Sequence, residues 1–450
     1  NYRPVSNLSF LSKITEKIAL SQLTTYINNN LFSPLQSAYR PGHSTETALL
    51  KVMNDVLLAL DEGNVSVMAL LDLSAAFDTI DHAILLSRLS TLYGISGTAL
   101  KWFKSYLSDR SQTVTINSNS SKPAILHFGV PQGSVLGLVL FILYTKPLFS
   151  VIHRHSISGH SFADDTQVHD SCPQGQITSS IQTIQNCISD IKSWMTCNKL
   201  KLNDDKTEVM LLKSDRTKSN NLNDTFPNSM LIGTTNIPFS SQAKNLGYTI
   251  SSNLSVENHV SNVCKIAYLQ LRRIGSIRHL LPLDAAKTLV CSTVLSKLDY
   301  CNSLLFGAPK HIIDKLQKVQ NSAARLVLKA RKTDNAQPLL QALHWLPIKS
   351  RIDYKIAILC FNFFLGTCPA YLSDILKVYT PRRSLRSSAD TRKLIISADI
   401  KTKTFGQRSF CYAAPSVWNS LPYEIRHSPS ILSFKTQLKT HLFRVSFSQT

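Results

Sequence analysis

The apolar run from Val65 to Leu71 follows the turn-like pair Gly63-Asn64 and stops at Asp72. Seven residues without polar alternation read as a strand buried on both faces, which needs a neighbour on each side and cover above and below. Further along, Ile157–Phe162 and Thr166–His169 flank Ala163-Asp164-Asp165 as a tight hairpin, with the acids at or near its tip. Carboxylates thus stand at the ends of separate strand-like runs.

Such acids repel one another by several kcal/mol when ~4 Å apart unless a cation sits between them. Magnesium suits the task, because it takes hard oxygen ligands and binds through one or two carboxylates plus substrate phosphates. Two such ions ~4 Å apart would bracket the attacking and leaving oxygens of an in-line displacement. The pattern therefore points to a two-metal nucleotidyl transfer site.

At 450 residues the chain has room for three or four units. It opens at Asn1 rather than at an initiator Met, so it reads as a fragment of a longer polyprotein, and without a charged-then-apolar leader no secretory signal is visible. The runs Val135–Tyr144 and Ile356–Leu365 fall short of the ~20 residues that span a bilayer; they read as core, and no membrane partner is expected. Nine scattered cysteines without a C-x-x-C pair exclude a disulfide frame and a zinc knuckle, and fit a reducing intracellular compartment. Charge is unevenly spread. Residues 256–450 hold 29 Lys and Arg against 10 Asp and Glu, a net of +19, whereas residues 1–255 hold 20 against 18. A polyphosphate partner for the C-terminal half follows, because neutralising phosphates releases counterions; a plain solvated basic surface is the alternative.

Taken in order, the periodicity predicts a helix over Leu11–Ile27 and another from the Ser44-Thr45 cap to about Leu60. Arg3 and Arg40 are candidates for holding a triphosphate, each equally readable as structural. Asp81 is placed as the cap of a helix to Leu92, and Thr98–Leu107 as a helix with Trp102 and Phe103 on a core face. Gln112–Ile116 and Ala124–Phe128 read as strands. Next comes Gly129-Val130-Pro131-Gln132-Gly133-Ser134-Val135-Leu136-Gly137, a shaped loop where backbone can touch a nucleotide. An apolar helix over Val135–Phe149 follows, then an amphipathic one over Ile177–Cys197 with Ile177, Ile181, Ile184, Ile188, Ile191 and Met195 on one face. Val209–Leu212 and Asn245–Ile250 read as strands, residues 213–230 as a linker, and 256–345 as all-helical. In His311–Arg331, Lys315, Lys318, Arg325 and Lys329 form a basic stripe suited to a phosphate backbone. Leu346–Thr450, with Arg382, Arg383 and Arg386, yields no chemistry.

The ordered set Arg3-Pro4, Gln36–Leu49, Leu70–Asp81, Gly129–Gly137, Phe162–Asp165, Lys199–Glu208 and Leu246-Gly247 resembles the seven-block reverse transcriptase domain of non-LTR (LINE-type) retrotransposons, in wording nearest the vertebrate elements. Leu298–Leu305 and Leu343–Pro347 are similar to the region that follows the polymerase there. The resemblance implies an α+β right-hand polymerase: fingers over 1–64, a palm on a small antiparallel sheet over 65–255, a helical basic thumb over 256–345, and a basic, mostly helical C-terminal region over 346–450. It implies that Asp72 and Asp164, supported by Asp165, hold two magnesium ions, with manganese as a substitute. Gln132 and Gly133 would lie beside the incoming nucleotide. Lys206 would protonate departing pyrophosphate, with Lys199 and Lys201 as alternatives.

Phe77 stands five positions after Asp72, where RNA polymerases that copy RNA usually carry an acid. By resemblance it is a gate against the 2′-hydroxyl; otherwise it is a core phenylalanine. The chain departs from the family wording at Leu138, usually Pro, and at Phe162, usually Tyr. Implied partners are an RNA template, a DNA primer and dNTPs, with nuclear residence during integration. Related elements carry an upstream endonuclease, which these residues do not show. The competing reading is an inactive relic that binds RNA through its basic C-terminal half.

Overall fold

The strand Val65–Leu71 is the second of four in one sheet, whose order is Glu208–Leu212, Val65–Leu71, Asp165–Cys172, Ser158–Phe162. All of its residues but Leu70 are buried, as the unalternating run predicts. The computed structural model describes residues 6–27, 32–214, 226–380, 391–397 and 399–448. Two units interleave along the chain: one takes 1–43, 67–210 and 222–240, the other 44–66, 211–221 and 241–450.

The first unit is built around the sheet. Ser158–Phe162 and Asp165–Cys172 pair antiparallel with Phe162 opposite Asp165, so Ala163-Asp164 is a two-residue loop. Helix Ile177–Cys197 buries the isoleucine face expected of it, together with Met195, and packs on the second hairpin strand. Helix Phe10–Tyr26 buries only Glu16 and Leu23. Asp81 caps His82–Thr91 by accepting from the Ile84 N–H.

Three expectations are corrected. The single helix over Val135–Phe149 is two, Leu136–Thr145 and Leu148–Arg154, because Pro147 lacks the N–H that would continue the ladder. Taken through that break, Leu136–Arg154 is long and apolar enough to cross a membrane, which a count of the apolar run alone misses; two-thirds of it is buried inside the protein, as in a core helix. The strands of 112–128 shrink to exposed two-residue ladders, Ser111–Gln112 with Ala124–Ile125 and Thr115–Ile116 with Asn119–Ser120. Asn245–Ile250 is the turn of a hairpin, Gln242–Asn245 against Tyr248–Ser251, because Leu246 and Gly247 both take positive φ and reverse the chain.

Beyond that hairpin the second unit is helical. Glu257–Ile277, Lys310–Leu328, Ile348–Phe364, Phe410–Asn419 and Ile431–Phe447 are its long members. Phe361 stacks on Phe434 with centroids 4.2 Å apart, and Trp418 lies 5.8 Å from Phe434. Helix Thr45–Glu62 belongs here. Its start is fixed by a reciprocal cap between Ser44 and Thr47. Three of its polar side chains reach much later parts of the chain: Glu46 accepts from the Ser303 N–H, Asn54 from the Cys411 N–H, and Thr47 from the Tyr371 hydroxyl. Asp61 accepts from the N–H groups of Lys401, Thr402 and Gly406 and from the Thr402 hydroxyl.

Candidate active site

Asp72 ends the central strand, and Asp164 and Asp165 sit at the tip of the hairpin whose strand Asp165–Cys172 is its sheet neighbour. Asp72 and Asp164 are half-buried and Asp165 is exposed. Lys206 Nζ donates to Asp72 Oδ2 at 2.9 Å, from a lysine side chain 57% exposed, and the Asp72 carbonyl accepts from the Asn203 N–H. Two of the sequence candidates, Asp72 and Lys206, are thereby brought together across 134 residues.

The acids suit magnesium by chemistry. All three are hard oxygen donors, and the Asp72 oxygen already faces a cation. Among the described residues no three His, Cys, Asp or Glu side chains form a metal cage. Magnesium does not ask for one, since phosphates and waters complete its shell.

The hairpin tip is held by the start of the block Gln36–Leu49, to which the sequence reading gives no such role. Gln36 is buried; its Oε1 accepts from the Ala163 N–H at 2.9 Å, and its Nε2 donates to the Ala163 carbonyl at 3.2 Å. The backbone beside it zips onto the edge strand: Ser37 N–H to Ser161 O and Ser161 N–H to Leu35 O, both at 2.9 Å. Arg40 Nη1 donates to the carbonyls of Ser33 and Gln36, which spends that nitrogen on its own loop. Tyr39 lies beside the acids. Burial first, then the charges of Asp164 and Asp165, hold its hydroxyl above the usual tyrosine range.

Phe77 is half-buried with its ring 4.6 Å from that of Phe141, and its carbonyl accepts from the Val130 N–H. Gln132 Nε2 donates to both carboxylate oxygens of Asp78, at 3.0 and 2.9 Å. These two residues help line a cavity of about 310 Å³ with Arg110, Phe128 and Gly129. Gly129, at φ +85°, has its close neighbour in protein: a Cβ there would stand 2.8 Å from the Asp78 carbonyl oxygen. Gly133, also at positive φ, turns the chain toward helix Leu136–Thr145. Buried Glu16 closes that helix start by accepting from the N–H groups of Val135 and Leu136.

In the second unit the basic stripe is partly engaged. Lys315 pairs with Glu257 at 2.7 Å, Arg325 donates to the Asp334 carbonyl, and Lys329 caps its helix in the left-handed conformation. Lys318 is exposed. Arg3, Arg382, Arg383 and Arg386 lie outside the described residues.

Sequence reasoning missed Gln36, Tyr39, Asp78 and Glu16 as parts of the site. Each was inside a quoted block or helix, but its partner lies far along the chain. The available signal was an acid, Glu16, within an amphipathic helix; nothing local marks the other three.

A family model described as reverse transcriptase (RNA-dependent DNA polymerase) matches residues 1–250. Among curated proteins the chain is 27% identical over 341 residues to a probable RNA-directed DNA polymerase from transposon BS of Drosophila melanogaster, covering 73% of this chain and 36% of that one. It is 25% identical over 337 residues to the RNA-directed DNA polymerase from mobile element jockey of the same organism, covering 73% and 35%. The chain thus spans about a third of the length of these relatives. Among solved structures, apo telomerase from Candida Tropicalis aligns at a TM-score of 0.40 and 12% identity over 76% of this chain and 53% of that one. Telomerase from Candida albicans in complex with a fragment of telomeric RNA aligns at 0.33 and 14% over 74% and 53%. On the match that covers more than half of its length, the chain belongs to the reverse transcriptase (RNA-dependent DNA polymerase) family.

Proposed function

We propose that this chain is the polymerase part of a non-LTR retrotransposon of vertebrate type, and that it copies an RNA template into DNA by joining dNTPs to a primer 3′-hydroxyl. Family membership over residues 1–250 supports the reading. The observation that carries it is the placement of Asp72 and of Asp164-Asp165 on neighbouring strands of one sheet.

Asp72, Asp164 and Asp165 would hold two magnesium ions, or manganese in their stead. When bound, these ions supply charge stabilisation for the attacking and leaving oxygens. The protein's own share is positioning. The sheet fixes the acids, the loop Gly129–Gly137 offers backbone and the Gln132 amide to the nucleotide, and Lys206 holds its Nζ beside Asp72, where it would serve the departing pyrophosphate. Phe77, braced by Phe141, fills the space a 2′-hydroxyl would need. The net charge of residues 256–450 supplies sequence-independent grip on the template and primer, with Lys318, Lys315 and Arg325 on one helix and Lys329 at its C-cap. In this reading residues 1–64 act as fingers, 65–255 as palm and 256–345 as thumb, and the work is done in the nucleus.

Primer extension on an RNA template with dNTPs and magnesium tests the proposal, run beside Asp164→Asn and an RNA-binding titration. Extension by the parent and none by the variant, with RNA affinity nearly unchanged, is the expected result. Binding without extension by either protein would support an inactive relic instead.

A further inference from the structure

Asp164 owes its position to the residue before it. Ala163 has φ +59°, a left-handed conformation that costs an L-residue roughly 1–2 kcal/mol. Nothing in the two-residue loop itself pays that cost, since alanine has no side chain to bond the backbone and lacks the freedom of glycine. The compensation comes from 127 residues away. Gln36 takes the Ala163 N–H on Oε1 and gives Nε2 to the Ala163 carbonyl. Those two groups lie on either side of one Cα, so holding both fixes φ and ψ of that residue together.

The clamp is itself rigid. Oε1 also accepts from the Ala38 N–H at 3.0 Å, so the amide has one orientation: two N–H groups demand the oxygen, and one carbonyl demands the nitrogen. The Gln36 backbone forms a parallel bridge with Ser161, and its carbonyl accepts from Arg40. Ala38 and Ala163 are packed with Ile142 in one buried cluster, which keeps water from competing for these bonds.

We propose that Gln36 is a positioning residue for the candidate catalytic hairpin: by gripping both polar groups of Ala163, it sets the direction in which Asp164 presents its carboxylate. The proposal rests on the polymerase reading for its consequence in catalysis. Its geometric part, a hairpin tip locked by a distant amide, stands on the hydrogen bonds alone.

The test compares the parent chain, Gln36→Leu, Ala163→Gly and the double variant, each checked by thermal melting. Hydrogen exchange at the hairpin tip reports the lock, and single-nucleotide extension reports its use. In Gln36→Leu the tip is expected to exchange about tenfold faster or more. Its kcat is expected to fall about tenfold or more while KM for the dNTP stays within about twofold, because binding survives and alignment does not.

Glycine at 163 accepts the left-handed conformation without help, so the double variant is expected to recover a large part of the lost kcat. A side chain that merely filled space would show no such rescue. If Gln36→Leu does not fold, the double variant, relieved of the conformational cost, decides the matter by its exchange and kcat against Ala163→Gly. Unchanged exchange at the tip, an unchanged kcat, or a double variant no better than Gln36→Leu would overturn the proposal. A parent chain that fails to extend any primer would instead overturn the polymerase reading, and the exchange data would still decide whether the lock exists.

Discussion

Gln132 donates its side-chain amide to both carboxylate oxygens of Asp78. An ionised carboxylate only accepts, so Nε2 must face Asp78 and Oε1 must turn away from it. In the proposed polymerase, Asp78 would therefore decide which end of the amide the nucleotide meets. Asp78→Leu releases that choice. The expected effect is a loss of about tenfold in kcat/KM for dNTPs, some ~1.4 kcal/mol of transition-state stabilisation, measured by single-nucleotide extension. An unchanged value would disconnect the amide's orientation from catalysis.

Phe77 leans on Phe141 rather than disappearing among core side chains, and remains half-exposed. Phe77→Val shortens the side chain at the position argued to exclude a 2′-hydroxyl. Ribonucleotide incorporation relative to deoxynucleotide is expected to rise by roughly tenfold or more, since a steric contact of a few atoms is worth 1–3 kcal/mol. Competition between labelled rNTP and dNTP on one primer measures the ratio; an unaltered preference returns Phe77 to the role of a packing residue.

A pH dependence follows from His259. It is buried, its ring lies 4.0 Å from that of Tyr248, and its Nδ1 accepts from the Thr249 N–H. Burial lowers its pKa from 6.5 to about 4. Because the folded value lies below the unfolded one, the stabilisation is complete above pH 6.5 and drains away as pH falls toward 4. The loss is about 3 kcal/mol at most. Chemical denaturation between pH 7 and pH 4 should show this fall in the parent and a flatter profile in His259→Gln. Parallel profiles would place the acid sensitivity elsewhere.

On the helix Lys310–Leu328, Lys318 is exposed whereas Lys315 is matched by Glu257. Lys318→Ala should reduce the slope of log affinity for single-stranded RNA against log salt by about 0.7, the value for one phosphate contact. Lys315→Ala should change it less, its charge being already paired. Filter binding across a salt series checks both, and a slope unmoved by Lys318→Ala removes that residue from the RNA track.

The sheet was legible because its strands announce themselves locally: an apolar run, interrupted only by Ser66, that stops at Asp72, and two short runs around Ala163-Asp164-Asp165. Helix Ile177–Cys197 was equally open, as the six apolar positions read from its period are all buried. What supports the acids was hidden. Gln36 meets Ala163 across 127 residues and Glu16 meets Val135 across 119. No periodicity encodes such pairings, and a buried glutamine reads in sequence as an ordinary turn residue. Asn245–Ile250 was misread because strand-forming Tyr248, Thr249 and Ile250 outweighed Leu246-Gly247, whose positive φ values make it a reversal.

Helix Thr45–Glu62 emerges from the ribosome early and finds its hydrogen-bond partners 257 to 357 residues later. At about 5–20 residues per second, that leaves an apolar helix waiting for roughly 10 to 70 s. Gly406 shows how close the eventual fit is, for a Cβ there would stand 2.5 Å from an Asp61 oxygen. The block matched by the family model, residues 1–250, therefore does not coincide with a compact unit of the fold. Made on its own, it should collect in inclusion bodies, whereas a chain carried through Cys411 and on to the last helix should stay in solution. Anyone trimming this protein to the matched block would be cutting away the surroundings of helix Thr45–Glu62.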